Sequence, residues 1–210
     1  MGTEVKLETM QDKYIKGDPD YYTNELIGYS YMIVNTDDRL ELPKAFGKED
    51  ELEWAEKEFI ERINLKKANP GEAFKLRKVW EEFVHDGKFS YTYGERIGNQ
   101  AQKVIDVLKD KPSSRNAIVS MWDPTIDSIK MGGKERVPCT MYYQFLIRNG
   151  RLNLIYNIRS NDLMTHWCWD VYLALKLQEY IAKEVGVPMG WFIQQVGSLH
   201  AYQKDLKGIF

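Results

Sequence analysis

The 210-residue chain is poor in the residues that would fix its class at a glance. Only 2 cysteines are present, which excludes a disulfide framework and a thiolate zinc site. The 3 histidines include no pair at helical metal-ligand spacing, so no metal is expected. No apolar run approaches the ~20 residues that span a bilayer, so no membrane partner is expected. Met1-Gly-Thr-Glu-Val-Lys6 has no apolar core of the signal-peptide kind, and Lys6 breaks the myristoylation pattern. A cytoplasmic protein is therefore expected. Lys+Arg 29 against Asp+Glu 31 leaves a net charge of -2, with no basic excess to hold a polyanion. No nucleic-acid partner is expected, although a local phosphate pocket stays open. Walker and Rossmann glycine patterns, internal repeats and low-complexity linkers are all missing.

What is there is a globular composition, 43% hydrophobic and 29% charged. The length suits one domain covering 1–210. Leu26 to Val34 is rich in β-formers and reads as a strand. Asp50 to Lys66 places Leu52, Ala55, Phe59 and Ile63 on one helical face, and Asn69-Pro70-Gly71 breaks it. A second helix is expected over Glu72 to Val84. Tyr91-Thr-Tyr93-Gly94 reads as a loop opening a helix around Gln100 to Lys109. Asn116 to Trp122 reads as a buried strand. Met141 to Arg148 and Leu152 to Arg159 form a hairpin about Asn149-Gly150. Trp169, Tyr172, Leu173, Leu177, Tyr180 and Ile181 make one apolar helical stripe, stopped by Gly186. Trp191 to Val196 is a last strand. Several strands in succession before a long helix point to an α+β fold.

Three places could carry chemistry. Cys139, in Val137-Pro138-Cys139-Thr140, reads on its own as an ordinary buried thiol. A nucleophilic role would need a cation or a base, and Arg115, Arg136 and Arg159 are the nearest cations. Arg159-Ser160-Asn161-Asp162 stands at a strand end, where Arg and Ser suit a phosphate; on its own it reads first as a turn capped by Asn and Asp. His200 and Tyr202 alternate, so in an extended segment they share a face and suit a sugar hydroxyl. His85 and His166 have no such context and read as ordinary.

In order along the chain stand Glu51-Leu-Glu-Trp54, the Trp80 segment, Tyr93-Gly94 and Ser114-Arg115. Pro138-Cys139-Thr140, the hairpin Gln144 to Asn157, Arg159-Ser-Asn-Asp162 and Val196-Gly-Ser-Leu-His200-Ala-Tyr202 follow. With these pieces the chain resembles the thymidylate synthase superfamily from about Gly28 to Tyr202. Within it the likeness is closest to the bacteriophage deoxycytidylate 5-hydroxymethyltransferases. The resemblance implies a mixed β-sheet packed with helices, with a sheet face used for dimerisation. It implies a homodimer, a pyrimidine nucleotide (dCMP) and 5,10-methylenetetrahydrofolate as co-substrate. It also implies a host-cell cytoplasm as location if the chain is phage-encoded.

The resemblance also assigns roles. Cys139 would add to C6 of the pyrimidine, and C5 would then attack the one-carbon unit. Glu51 would move protons near the base, and Tyr93 would order a relay water. Arg159 and Ser160 would hold the 5′-phosphate, joined by Arg115 reaching across the dimer. His200 and Tyr202 would bind the 3′-hydroxyl; Trp80 and Asp162 would contact the folate. Asp170 stands where synthases carry Asn. An ionised carboxylate only accepts, so it suits the cytosine amino group and a protonated N3 rather than uracil O4. As an early helix residue Asp170 also suits the helix dipole.

Thr140, where synthases have His, matches the hydroxymethylase pattern. Synthases continue well past the position of Tyr202, and an early end at Phe210 would leave a wetter site that lets water add to the methylene. The Arg-rich phosphate loop of synthases is not recognisable around Lys16 to Asn24, where Lys13 or Lys16 could stand in. Asn116 replaces a second partner Arg. The leading reading is a dCMP hydroxymethylase. The alternatives are a dCMP C5-methyltransferase, a dUMP hydroxymethylase and a non-catalytic nucleotide-binding protein on this fold.

Overall fold

A computed structural model describes residues 3–5, 18–36, 38, 41–66, 68–132 and 135–207. Lys13 and Lys16 lie outside the described residues. One mixed sheet of six strands organises the chain. Its strands are β1 (Thr3–Val5), β2 (Thr23–Ile33), β3 (Ile118–Ser120), β4 (Thr140–Arg148), β5 (Arg151–Asp162) and β6 (Met189–Tyr202). They lie in the order β1-β2-β6-β5-β4-β3. Among the described residues only the β5–β6 pair is parallel; the other strand pairs are antiparallel. A parallel pair needs a crossover, and helix α6 (Trp167–Val185) supplies it.

Before α6 come α1 (Glu41–Ala45), α2 (Leu52–Ile63), α3 (Tyr93–Ile97), α4 (Gln100–Asp110) and α5 (Asp127–Lys130); α7 (Gln203–Leu206) follows β6. The stripe read on α6 is buried, Tyr180 only in part. So are Val171, Ala174 and Leu175, because α6 lies between the sheet and helices α1, α2 and α4. Gly186 caps α6 in the left-handed conformation, φ 82°. The hairpin turn falls on Asn149 and Gly150, at φ 53° and 70°, as a two-residue turn of matching twist requires. No helix among the described residues is long and apolar enough to cross a membrane.

Four expected elements differ. The helix read over Glu72 to Val84 is two 3₁₀ stretches, Ala73–Leu76 and Lys78–Phe83. Arg77 between them is extended, φ -140° and ψ 92°. Its side chain reaches Glu51 and Trp54, and that tertiary demand overrides the local helical pattern. Tyr93-Gly94 opens a helix rather than a loop. Thr92 and Glu95 close a capping box there. The strand over Asn116 to Trp122 shrinks to Ile118–Ser120 at the sheet edge.

The last strand, by contrast, runs 14 residues instead of ending at Val196. It pairs on both sides nearly throughout, which extends it through Gly197-Ser198-Leu199-His200. A Cβ on Gly197 would stand 2.6 Å from the Arg159 carbonyl oxygen, so glycine lets β6 close on β5 at that point.

Candidate active site

β5 and β6 both end, and β4 begins, at one edge of the sheet. Ser160 pairs with Ser198, Asp162 with His200 and Thr140 with Ile158. A ligand cleft outside the carboxyl ends of parallel strands is the usual arrangement for such sheets. A cavity of about 660 Å³ opens there, within the common size for small-molecule sites.

Strand ends supply much of its lining. Cys139 comes from the turn before β4, Ser160 and Asp162 from β5, and His200 and Tyr202 from β6. Helices add Tyr93, at the start of α3, and Asp170, in the first turn of α6. A Cβ on Gly94 would fall 2.7 Å from the Glu61 carbonyl oxygen, so glycine lets α3 settle against α2 and turns Tyr93 toward the sheet. Trp80 joins from the 3₁₀ stretch.

Cys139 is part-buried, and burial pushes its thiol up. Arg159 and Arg136 pull it back toward the thiolate, and Asp170 pushes it further up. Arg159 itself does not line the cavity. Its guanidinium donates to the Pro138 and Val137 carbonyls, at 3.0 and 3.2 Å, and stands 3.7 Å from Cys139 Sγ. It thus braces the cysteine turn from outside. Burial carries the Asp170 carboxyl from 3.8 up to about 7, against the pull of Arg62 and Arg77. Arg62 lies 4.1 Å over the Tyr93 ring and is bound to Glu58 at 2.9 Å. Asp162 is spent differently: one oxygen accepts from Met164 and Thr165 N–H, both at 3.0 Å, and forms the turn into α6. The His200 and Tyr202 rings meet edge-on at 5.8 Å on one face, and the Tyr202 phenol is pushed up to about 12, chiefly by burial.

Glu51 and Arg115 are placed apart from the cavity lining. Glu51 Oε2 is 2.8 Å from Arg77 Nε, and it is Arg77 that faces the cavity. Arg115 is exposed beside the sheet edge, where its carbonyl accepts from Gln144 Nε2 at 2.8 Å.

Sequence reasoning passed over Arg77, Arg62 and His166. Arg77 is 8% exposed, stacks 4.6 Å over Trp54 and donates to the Thr165 carbonyl at 3.4 Å. His166, read as ordinary, lines the cavity 5.7 Å from the Trp80 ring. Burial, with Arg77 next, pushes its imidazole from 6.5 down to about 4, so it stays neutral at working pH. Arg136 completes the stack, 5.0 Å from the Trp80 ring. No local signal marked Arg77, which stands among Lys75, Lys78, Glu81 and Glu82 in the same segment.

A partly buried thiol, a carboxyl held near neutrality and flanking hydroxyls share the lining of one cavity. The sequence profile of the thymidylate synthase family matches residues 50–209. A putative thymidylate synthase of Methanocaldococcus jannaschii is 37% identical over 60% of the chain, and the chain spans 57% of that relative's length. The fold matches thymidylate synthase A from Bacillus subtilis with a TM-score of 0.69 at 22% identity, covering 90% of this chain and 69% of that one. Thymidylate synthase from T4 phage matches with a TM-score of 0.67 at 25% identity, covering 90% and 71%. The chain belongs to the thymidylate synthase family.

Proposed function

We propose that the chain is a one-carbon transferase that hydroxymethylates C5 of dCMP with 5,10-methylenetetrahydrofolate. Cys139 adds to C6, which makes C5 the nucleophile toward the one-carbon unit. The observation that carries the choice of base is Asp170, a carboxyl in the same cavity as Cys139 and held up at about 7. It keeps a proton available at neutral pH. Against cytosine it accepts from the exocyclic amino group and passes or shares that proton with N3. Protonated N3 draws electrons from C6 and readies it for the thiolate. Uracil O4 is a far weaker base than cytosine N3, so the same carboxyl activates uracil less.

The other roles come from the resemblance to the family, and the lining residues suit them. His200 and Tyr202 suit a sugar hydroxyl, and Ser160 with Arg159 behind it suits the phosphate. Trp80, near Arg136 and His166, lines the cavity and suits the folate ring, with Asp162 in the same lining. Glu51 serves proton movement near the base, with Arg77 holding its carboxylate in place. We place the chain in a homodimer, with Arg115 reaching the partner's phosphate site. Met32 (55% exposed) on β2 and Ile118 (42%) on β3 share the sheet face turned away from the core and support an apolar sheet contact.

A second reading, methylation of dUMP, is favoured by the names that the relatives carry. A product assay separates the two. The protein is mixed with methylenetetrahydrofolate and with dCMP or dUMP, and the nucleotide mass is read. A hydroxymethyl gain on dCMP without dihydrofolate is expected. A methyl gain with dihydrofolate on dUMP overturns it in favour of the second reading. Loss of the dCMP preference in Asp170→Asn is expected; an unchanged preference removes the base assignment.

A further inference from the structure

Directly behind Cys139 a row of hydroxyls runs from the cavity into the core. Tyr93 Oη lies 3.0 Å from Thr140 Oγ1, and Thr140 Oγ1 lies 2.9 Å from Tyr156 Oη. The outer member, Tyr93, lines the cavity. Thr140 and Tyr156 are fully buried, each 0% exposed. The placement follows from register. Tyr143 and Tyr156 are directly opposed on β4 and β5, and their rings stack at 4.7 Å. Thr140 begins β4, one residue after the cysteine, and the start of α3 brings Tyr93 over it. The Tyr143 hydroxyl faces Thr140 and Tyr156 from the side.

Distances alone leave the direction of each bond open. Proton counting narrows it. Tyr143 is bonded to Thr140 and Tyr156 as well, so four hydroxyls carry four protons. With Tyr143 donating to Tyr156, Tyr156 to Thr140 and Thr140 to Tyr93, the fourth proton, on Tyr93, is left for the cavity end. Among the described residues no carbonyl or carboxylate is bonded to the Tyr156 hydroxyl. At the outer end lies the cavity, with room for water or a ligand acceptor. A buried hydroxyl proton without an acceptor is disfavoured. The row is therefore polarised outward: Tyr156 donates to Thr140, and Thr140 donates to Tyr93.

We infer that Tyr156 and Thr140 are positioning residues that fix the Tyr93 hydroxyl as a hydrogen-bond donor into the cavity beside Cys139. This rests on the one-carbon-transfer reading, because it specifies what Tyr93 can do there. A donor Tyr93 holds a water by one of the water's lone pairs. The water's second lone pair stays free for an exocyclic methylene, and both its hydrogens stay free for a carboxylate such as Asp170. An accepting Tyr93 would instead take up one of those hydrogens. The row thus sets the orientation of the water that a hydroxymethylating site must add. Thr140 and Tyr156 touch no substrate in this scheme and act only through Tyr93.

The test uses the full chain with Thr140→Ser, Thr140→Val, Tyr156→Phe and Tyr143→Phe, each assayed for kcat, nucleotide KM and product mass. Thr140→Ser keeps a hydroxyl and is expected within about threefold of the parent, Tyr143→Phe within about twofold, and Thr140→Val and Tyr156→Phe about ten- to a hundredfold lower in kcat, with KM unchanged. Parent-like kcat in both Thr140→Val and Tyr156→Phe overturns the inference. So does a Tyr143→Phe loss equal to that of Tyr156→Phe, which would mean a closed inner ring with Tyr93 donating inward.

A second readout needs no turnover. With tyrosine labelled at Cζ, the Tyr93 resonance is expected to move in Tyr156→Phe, although Thr140 stands between the two hydroxyls. A parent protein that transfers nothing to either nucleotide overturns the proposed function. A Tyr93 resonance blind to both Thr140→Val and Tyr156→Phe overturns this inference.

Discussion

The cavity has two walls built by different means. The inner wall carries Cys139, Tyr93, Asp170, His200 and Tyr202, all at strand ends or in the first turn of a helix. Backbone pairing fixes each of them: Arg159 N–H donates to the Cys139 carbonyl at 2.9 Å, and His200 accepts from Leu163 N–H at 2.8 Å. The outer wall carries Trp80, Arg77, Arg136 and His166 on 3₁₀ turns and connecting segments. There charge and ring stacking add to short backbone turns, through Arg77 on Glu51 and Trp54 and Arg136 on Phe83. Groups that must meet a reacting carbon within a fraction of an ångström gain from the first kind of support. A broad ring face tolerates the second, which is adjustable and sensitive to the loss of a single side chain.

Changes on the inner wall should therefore abolish chemistry without loosening the fold. Cys139→Ala is expected to cut turnover on the order of a thousandfold or more while nucleotide affinity holds, because the proposed mechanism takes its nucleophile from Cys139. Turnover and calorimetric binding on the same preparation check this. Residual turnover near that of the parent would dismiss the thiolate.

The next effect falls on the outer wall and should invert that pattern. Arg77→Gln leaves Glu51 without its partner, and its cost to the fold is about 2–4 kcal/mol. The apparent KM of the one-carbon donor should rise about tenfold, with nucleotide affinity nearly unchanged. Arg77→Lys should recover charge but not the stacked fork, and fall between the two. Equal losses for donor and nucleotide would erase the division between walls.

The same division decided what could be read from sequence. The hairpin at Asn149-Gly150, the α6 stripe and Gly186 carry local signals, namely turn chemistry, period and cap, and each lies where it was read. Residues 72–84 kept a helical pattern that lost to the pull of Glu51 and Trp54 on Arg77, a contact 26 residues apart in the chain at Glu51 and invisible to any local window. His166 looked ordinary because nothing within reach along the sequence announces Trp80 and Arg77 beside it. Glu51, by contrast, was singled out as a cavity group, and it stands behind Arg77. A motif names the residue; which way its carboxylate turns depends on a cation that the motif does not include.

The finest contrast is between two titrating groups, Asp170 on the inner wall and His166 on the outer. Asp170 rises from 3.8 to about 7, so between those values the folded protein binds the extra proton. Its contribution to stability is complete below 3.8 and is lost as pH rises through 7. His166 falls from 6.5 to about 4, so there the unfolded chain binds the extra proton. Its contribution is complete above 6.5 and is lost as pH falls through 4. Between about 4 and 6.5 the two slopes oppose each other, and in the parent they should largely cancel. Removing either group exposes the other. Asp170→Asn should lose about 1–3 kcal/mol of stability on acidification across that window, and His166→Gln should lose a similar amount on going toward neutrality. Urea midpoints at pH 4.5, 5.5 and 6.5 read both slopes directly. Parallel profiles for the parent and both variants would show that neither group titrates as its surroundings dictate. Opposite tilts would show that the two walls bury neutral groups whose proton linkages compensate, each stabilising the fold where the other does not.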